Sequence, residues 1–194
     1  MGVYKLSTAG GLATPRTNYS SFLAGNPAAS FSSFESISTV TVGGGGAASI
    51  TFSSIPATFT HLQIRGISKM SSGASLVAQL NSDTGSNYAR HYLNGNGSSV
   101  GVGANASFSN FFVGTTGNAT STFGASVIDI LDYANTNKYT TSRSLSGADA
   151  NGSGFVQFFS GLWMNTAAVT TITITGDSNF DQYSQFALYG IKGA

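Results

Sequence analysis

The sequence predicts an all-β fold, a jelly-roll-type antiparallel β-sandwich of about ten strands behind an extended N-terminal arm. Three observations predict it. Apolar residues alternate with polar ones through most of the chain, as in Ser49-Ile50-Thr51-Phe52 and His61-Leu62-Gln63-Ile64-Arg65, the period of a strand with one dry face. Turn signals separate these runs: Gly43 to Gly46, Ile55-Pro56 and Asn94-Gly95-Asn96-Gly97. No run outside the arm carries a helical period. An immunoglobulin-like sandwich is the alternative, but the strand count is high for it and a Cys–Trp–Cys pattern is absent.

Residues 1–33 form the arm and residues 34–194 the sandwich. The arm has two prolines, a Gly-Gly pair and apolar residues spaced as anchors: Tyr4, Leu6, Leu12, Tyr19, Phe22 and Leu23, with Arg16 among them. A short helix over 18–24 fits, with Thr17 or Asn18 as cap and Gly25 as stop. Such a segment buries little against itself, so its anchors point to a partner.

Within the sandwich, Ile37, Val40 and Val42 mark the first strand, with a bulge between Ile37 and Val40. The strands 47–55 and 60–69 follow, joined through Pro56, which has no N–H for a ladder. Leu76, Ala78 and Leu80 carry the next, and Tyr88 to Leu93 another. Residues 98–106, all small or polar but for two valines, read as a surface loop. Phe108, Phe111 and Phe112 reopen the sheet. The stretch 123–133 contains a run, 127–131, that reads as buried on both faces, and 138–145 reads as a polar edge strand. The run 155–164 is apolar at both parities, with Phe155, Phe159 and Trp163 against Phe158 and Leu162. A sandwich strand keeps one face wet, so 155–164 and 127–131 point to an interior position or a subunit interface; the interface is the favoured reading, with these five residues in it and the chain a homo-oligomer. Val169 to Thr175 and Phe186 to Ile191 complete the set.

Composition narrows the function. Charged residues make up 8% of the 194, against about 25% in ordinary domains. Net charge is +1 with no basic stripe, which argues against nucleic-acid and anionic-membrane binding. There is no cysteine, hence no disulfide and no thiolate metal site. The first residues lack the apolar run of a secretory signal, so the chain is expected to be made in a cytoplasm and released otherwise.

The residues offer little catalytic chemistry. Asp129 and Asp132 are three apart on a strand and face opposite ways, which suits no acid–base pair. His61 and His91 alternate with apolar neighbours and read as surface groups. No Ser sits in a nucleophile elbow, and the glycine runs lack the Lys-Ser/Thr of a phosphate loop. The expectation is a non-enzyme without cofactors. Asp177-Ser178-Asn179-Phe180-Asp181 has the opening rhythm of a calcium loop but lacks its Gly and its distal Glu; Asp177, Asn179 and Asp181 are a weak calcium candidate. Tyr88 and Tyr92, beside Asn94 and Asn96, are candidates to face a glycan, since aromatic faces flanked by amides suit sugars.

Four stretches carry a resemblance: Tyr4-Lys5-Leu6-Ser7 through Arg16-Thr17-Asn18-Tyr19 and on to Asn26, residues 50–66, residues 81–99, and Phe186 to Gly193. Nearly the whole chain is similar to small virion proteins of tailed bacteriophages, many of them marine. The resemblance implies a structural protein on the virion exterior. A capsid decoration (cement) protein, trimeric and bound to the major capsid protein through its arm, is the first expectation. A tail-fibre or receptor-binding tip meeting a host-surface glycan through residues 94–106 and 146–154 is the alternative.

Overall fold

The computed structural model describes residues 33–118 and 121–193. The arm, its anchors and the short helix expected over 18–24 lie outside the described residues. The compact unit is Ser33–Ala194.

Its twelve strands are β1 (Phe34–Thr41), β2 (Ala47–Phe52), β3 (His61–Ser68), β4 (Ser75–Leu80), β5 (Tyr88–Gly95), β6 (Val100–Phe108), β7 (Phe111–Thr115), β8 (Gly124–Leu131), β9 (Thr140–Asp149), β10 (Gly154–Trp163), β11 (Ile172–Phe180) and β12 (Gln185–Ile191). They form two sheets, an eight-stranded one ordered β1-β12-β3-β8-β9-β10-β5-β6 and a four-stranded one ordered β2-β11-β4-β7. Every strand pair is antiparallel. The pairing is nested: β1 lies on β12, β2 on β11, β3 on β8 and β4 on β7. Two hairpins, β5–β6 and β9–β10, widen the larger sheet on the β8 side.

The core lies between the sheets. Leu62 and Ile64 of β3, Ile128 and Ile130 of β8, and Phe186 and Leu188 of β12 point inward from one sheet. Ile50, Phe52, Leu76, Leu80, Ile172 and Ile174 meet them from the other. The alternating residues face out, which is why period two in sequence becomes two-sided strands in space.

Three sequence-based assignments differ. Residues 100–108 form the edge strand β6 rather than a loop. An edge strand needs partners on one side only, so Gly, Ala and Asn serve where a core strand would need apolar bulk. Strand β9 is central, between β8 and β10, although its polarity suggested an edge. Its inward residues, Thr140, Ser142, Ser144 and Ser146, are buried, and their small size lets β7 approach closely. Ser146 Oγ accepts the Thr115 N–H at 3.0 Å. Gly161 of β10 belongs to the same seam: a Cβ there would stand 2.4 Å from Ser142 Oγ and 2.5 Å from Phe111 Cδ1. Finally, β8 is buried on one face only, with Val127 exposed.

Candidate functional site: an exposed apolar sheet face

Because the four-stranded sheet covers one side of the larger one, the other side is left outward. Hydrogen-bonded register aligns its side chains in rows across the strands. One row reads Arg65, Val127, Leu145, Phe158, Leu93 and Val102 from β3 to β6. The row on one flank reads Ile67, Ala125, Gly147, Val156, Gly95 and Val100. The row on the other flank reads Gln63, Asp129, Arg143, Ser160, His91 and Ala104. Phe158 is 54% exposed and Val156 53%, and Ile67, Leu93, Val100, Val102, Val127 and Leu145 are exposed with them. Single surface hydrophobes are ordinary, but a contiguous band of them marks an interaction surface. The band is rimmed by polar groups: Gln63 Nε2 donates to Asp129 Oδ1 at 2.8 Å, and the Arg65 guanidinium lies over the Phe34 and Tyr189 rings, 5.1 and 5.5 Å from their centroids.

The structure divides the five residues predicted at an interface. Phe158 is on the outward band, and Phe155 is exposed at the end of β10. Leu162 is half-buried on the outward side. Phe159 and Trp163 are core residues instead: they face the small sheet, and Trp163 is 0% exposed. Trp163 stacks on Tyr88 with ring centroids 6.3 Å apart, and its Nε1–H donates to Asp83 Oδ2 at 2.7 Å. The two parities of β10 therefore serve two different surfaces, core and exterior. Apolarity at both parities could not separate an interface from the core by itself.

The glycan candidates are divided too. Tyr88 is fully buried, so it cannot face a sugar. Its hydroxyl accepts from the Leu80 N–H at 3.1 Å and donates to carbonyl oxygen of Asp83 at 3.1 Å; burial pushes its pKa up to about 12. Tyr92 lies on the inner face with its ring 6.0 Å from that of Phe159, beside Arg90, whose guanidinium sits 3.8 Å from the Phe112 centroid. Asn94 is half-buried against Gly101 of β6. Asn96 alone is exposed, in the β5–β6 turn, where its Oδ1 accepts from the Ser98 and Ser99 amides at 2.9 and 2.8 Å.

The carboxylates are occupied locally. Asp177 Oδ2 accepts the Ala74 and Ser75 amides at 2.9 and 2.8 Å, whereas Asp181 pairs with Lys69. The ends of the calcium motif are thus engaged with separate partners. Burial raises the Asp177 pKa, but those amides outweigh it and hold the group below its ordinary value. Lys138 lowers that of Asp132. Asn87, and then Trp163, do the same for Asp83. A carboxyl lowered in the folded state adds stability that is present above its unfolded pKa and lost as pH falls through the folded one. Thermal unfolding should therefore be insensitive to pH near neutrality and fall steeply below about pH 4. Asp83→Asn should flatten part of that decline. His61 is half-buried and accepts the Asp132 N–H on Nδ1 at 3.0 Å, whereas His91 is exposed on the outward face.

Comparison with known proteins found no match to any family model, curated protein or solved structure. Among the described residues no helix is long and apolar enough to cross a membrane.

Proposed function

We propose that this chain is a structural protein of a tailed-phage virion, a capsid decoration protein that attaches through residues 1–33 and assembles through the outward face of its larger sheet. The observation that carries the reading is that face: an apolar band running unbroken from Val127 through Leu145 and Phe158 to Leu93 and Val102. A lone domain gains nothing from such a surface, whereas a subunit of a larger shell gains apolar burial at about 25 cal/mol per Å². The nested strand pairs support a jelly-roll reading of the sandwich, with β5–β6 and β9–β10 as inserted hairpins. The uncharged Ser/Thr/Asn surface and the resemblance of the arm to those of phage virion proteins support the placement on a virion exterior. The major capsid protein is the proposed partner. Deleting residues 1–32 should leave the cooperative melt of the sandwich unchanged and reduce co-sedimentation with purified capsids at least tenfold. A truncated chain that still decorates capsids at the full-length level overturns the attachment.

One observation favours a second reading, a tail tip that meets a host glycan. The β5–β6 and β9–β10 turns lie side by side and frame a cleft of about 450 Å³ lined by Asn96, Asp149, Ser153 and Phe155, within the range of small-ligand sites. Phe155, 44% exposed, offers the aromatic face. On a glycan array, this reading expects binding that is lost in Phe155→Ala and retained in Tyr92→Phe; an array without hits contradicts it.

A further inference from the structure

The outward face is complementary to itself. We propose that it is covered by a second copy of this chain, packed face to face about a twofold axis that runs along the strands between β9 and β10. The proposal rests on the reading of this face as an assembly surface, not on where the assembly resides.

Such an axis keeps each row on its own counterpart and exchanges β9 with β10, β8 with β5 and β3 with β6. The consequences follow from register alone. Leu145 meets the second copy's Phe158, and Val127 meets its Leu93. The dent at Gly147 receives Val156, Ala125 meets Gly95, and Ile67 meets Val100. In the polar row Asp129 meets His91, an acceptor against a donor, and Arg143 meets the Ser160 hydroxyl. The pairs nearest the axis are thus apolar on apolar, Gly147 leaves room for Val156, and no like charges oppose each other, while at the edge of the face Arg65 falls against Val102. Moving the axis one strand over, between β8 and β9, would set Val100 and Val102 against Thr41 and Thr39 of β1, so their apolar surface would gain least.

The size of the face also fits one more copy. Six strands at ~4.8 Å and four rows at ~6.8 Å, counting the row of His61, Leu131, Thr141, Leu162 and Ala89, give roughly 800 Å². A stable complex needs about 800 Å² from each partner. Aligned sheets pack about 10 Å apart with a rotation near 30° set by their twist, so the pairs nearest the axis, Leu145 with Phe158, are the tightest.

The test uses the full-length chain. Light scattering should give twice the 19.8 kDa chain mass, and Phe158→Asp should weaken self-association at least about 30-fold, the loss expected of a central anchor. Phe158 is exposed, so a melt superimposable on wild type at a dilution where both are single chains separates lost pairing from lost folding; Leu93→Asp provides the same test at a second position. Register is tested by cross-linking. The chain has no cysteine, and residues 91 and 129 sit on strands three apart, roughly 14 Å from each other in one copy. A bis-maleimide with a spacer shorter than that should join two copies of the double variant Asp129→Cys/His91→Cys, and should leave both single variants unjoined. A single-chain mass, a three-chain mass, or equal cross-linking of the single variants overturns the proposal. Any of these leaves arm-dependent capsid attachment to be decided by the truncation, so the two failures are distinguishable.

Discussion

Trp163→Ala should lower the stability of the sandwich by about 3–5 kcal/mol, the cost of emptying a fully buried indole site. Its consequences extend beyond lost volume. Trp163 stacks on Tyr88, which is in edge contact with Phe111 at 4.9 Å, so the three rings hold β5, β7 and β10 together. Its Nε1–H also donates to the Asp83 carboxylate, and a hydrogen bond to a charged group is worth roughly 1.5–3 kcal/mol. Trp163→Phe separates the two contributions, keeping most of the packing and losing the donor. Urea unfolding reads both. Phe158→Ala, on the outward parity of the same strand, should change stability by no more than about 0.5 kcal/mol when both proteins are diluted to single chains. Equal costs at positions 158 and 163 would contradict the division of β10 into a core face and an exterior face.

Gly161→Val should cost about 1–3 kcal/mol or more through overpacking. The position has no room: Ser142 Oγ and the Phe111 ring would both lie under 3 Å from the new Cβ. Relief would require β7 to lift away from the Ser142–Ser146 seam, which would also break the bond from the Thr115 amide to Ser146. The companion variant Gly97→Ala tests whether bulk or backbone is responsible. Nothing lies near a Cβ at Gly97, but its φ of +87° strains any other residue, so its cost should be about 1 kcal/mol and confined to the turn. A Gly161→Val variant as stable as wild type would mean that β7 does not pack against β9 and β10 as described.

The fold class was legible because period two is a property of the chain itself. Ile50, Phe52, Leu62 and Ile64 announce their strands and their inward faces without reference to anything distant. What escaped notice depended on neighbours. Val100 to Phe108 lacks apolar bulk, and only the pairing with β5 makes it a strand. The serines of β9 look like an edge in isolation, and only the approach of β7 explains why small hydroxyl residues occupy a central position. The candidate site was half legible. In 155–164 one parity is exposed at Val156 and Phe158 and the other is buried at Phe159 and Trp163, and which parity faces out could not be read from one strand. Phe158 lies on the exposed face and Trp163 and Phe159 in the core, and Leu93 and Leu145 join Val127 and Phe158 in one band only through the register that sets them side by side. Tyr88 failed as a glycan group because a tyrosine beside turn residues looks the same whether its ring points in or out.

The most direct measurement of the proposed virion role is the stoichiometry of this chain in purified particles of the tailed phage proposed to encode it, by quantitative mass spectrometry against the major capsid protein. The account predicts a copy number of the same order as the shell subunit. A few copies per particle, or none, would contradict it.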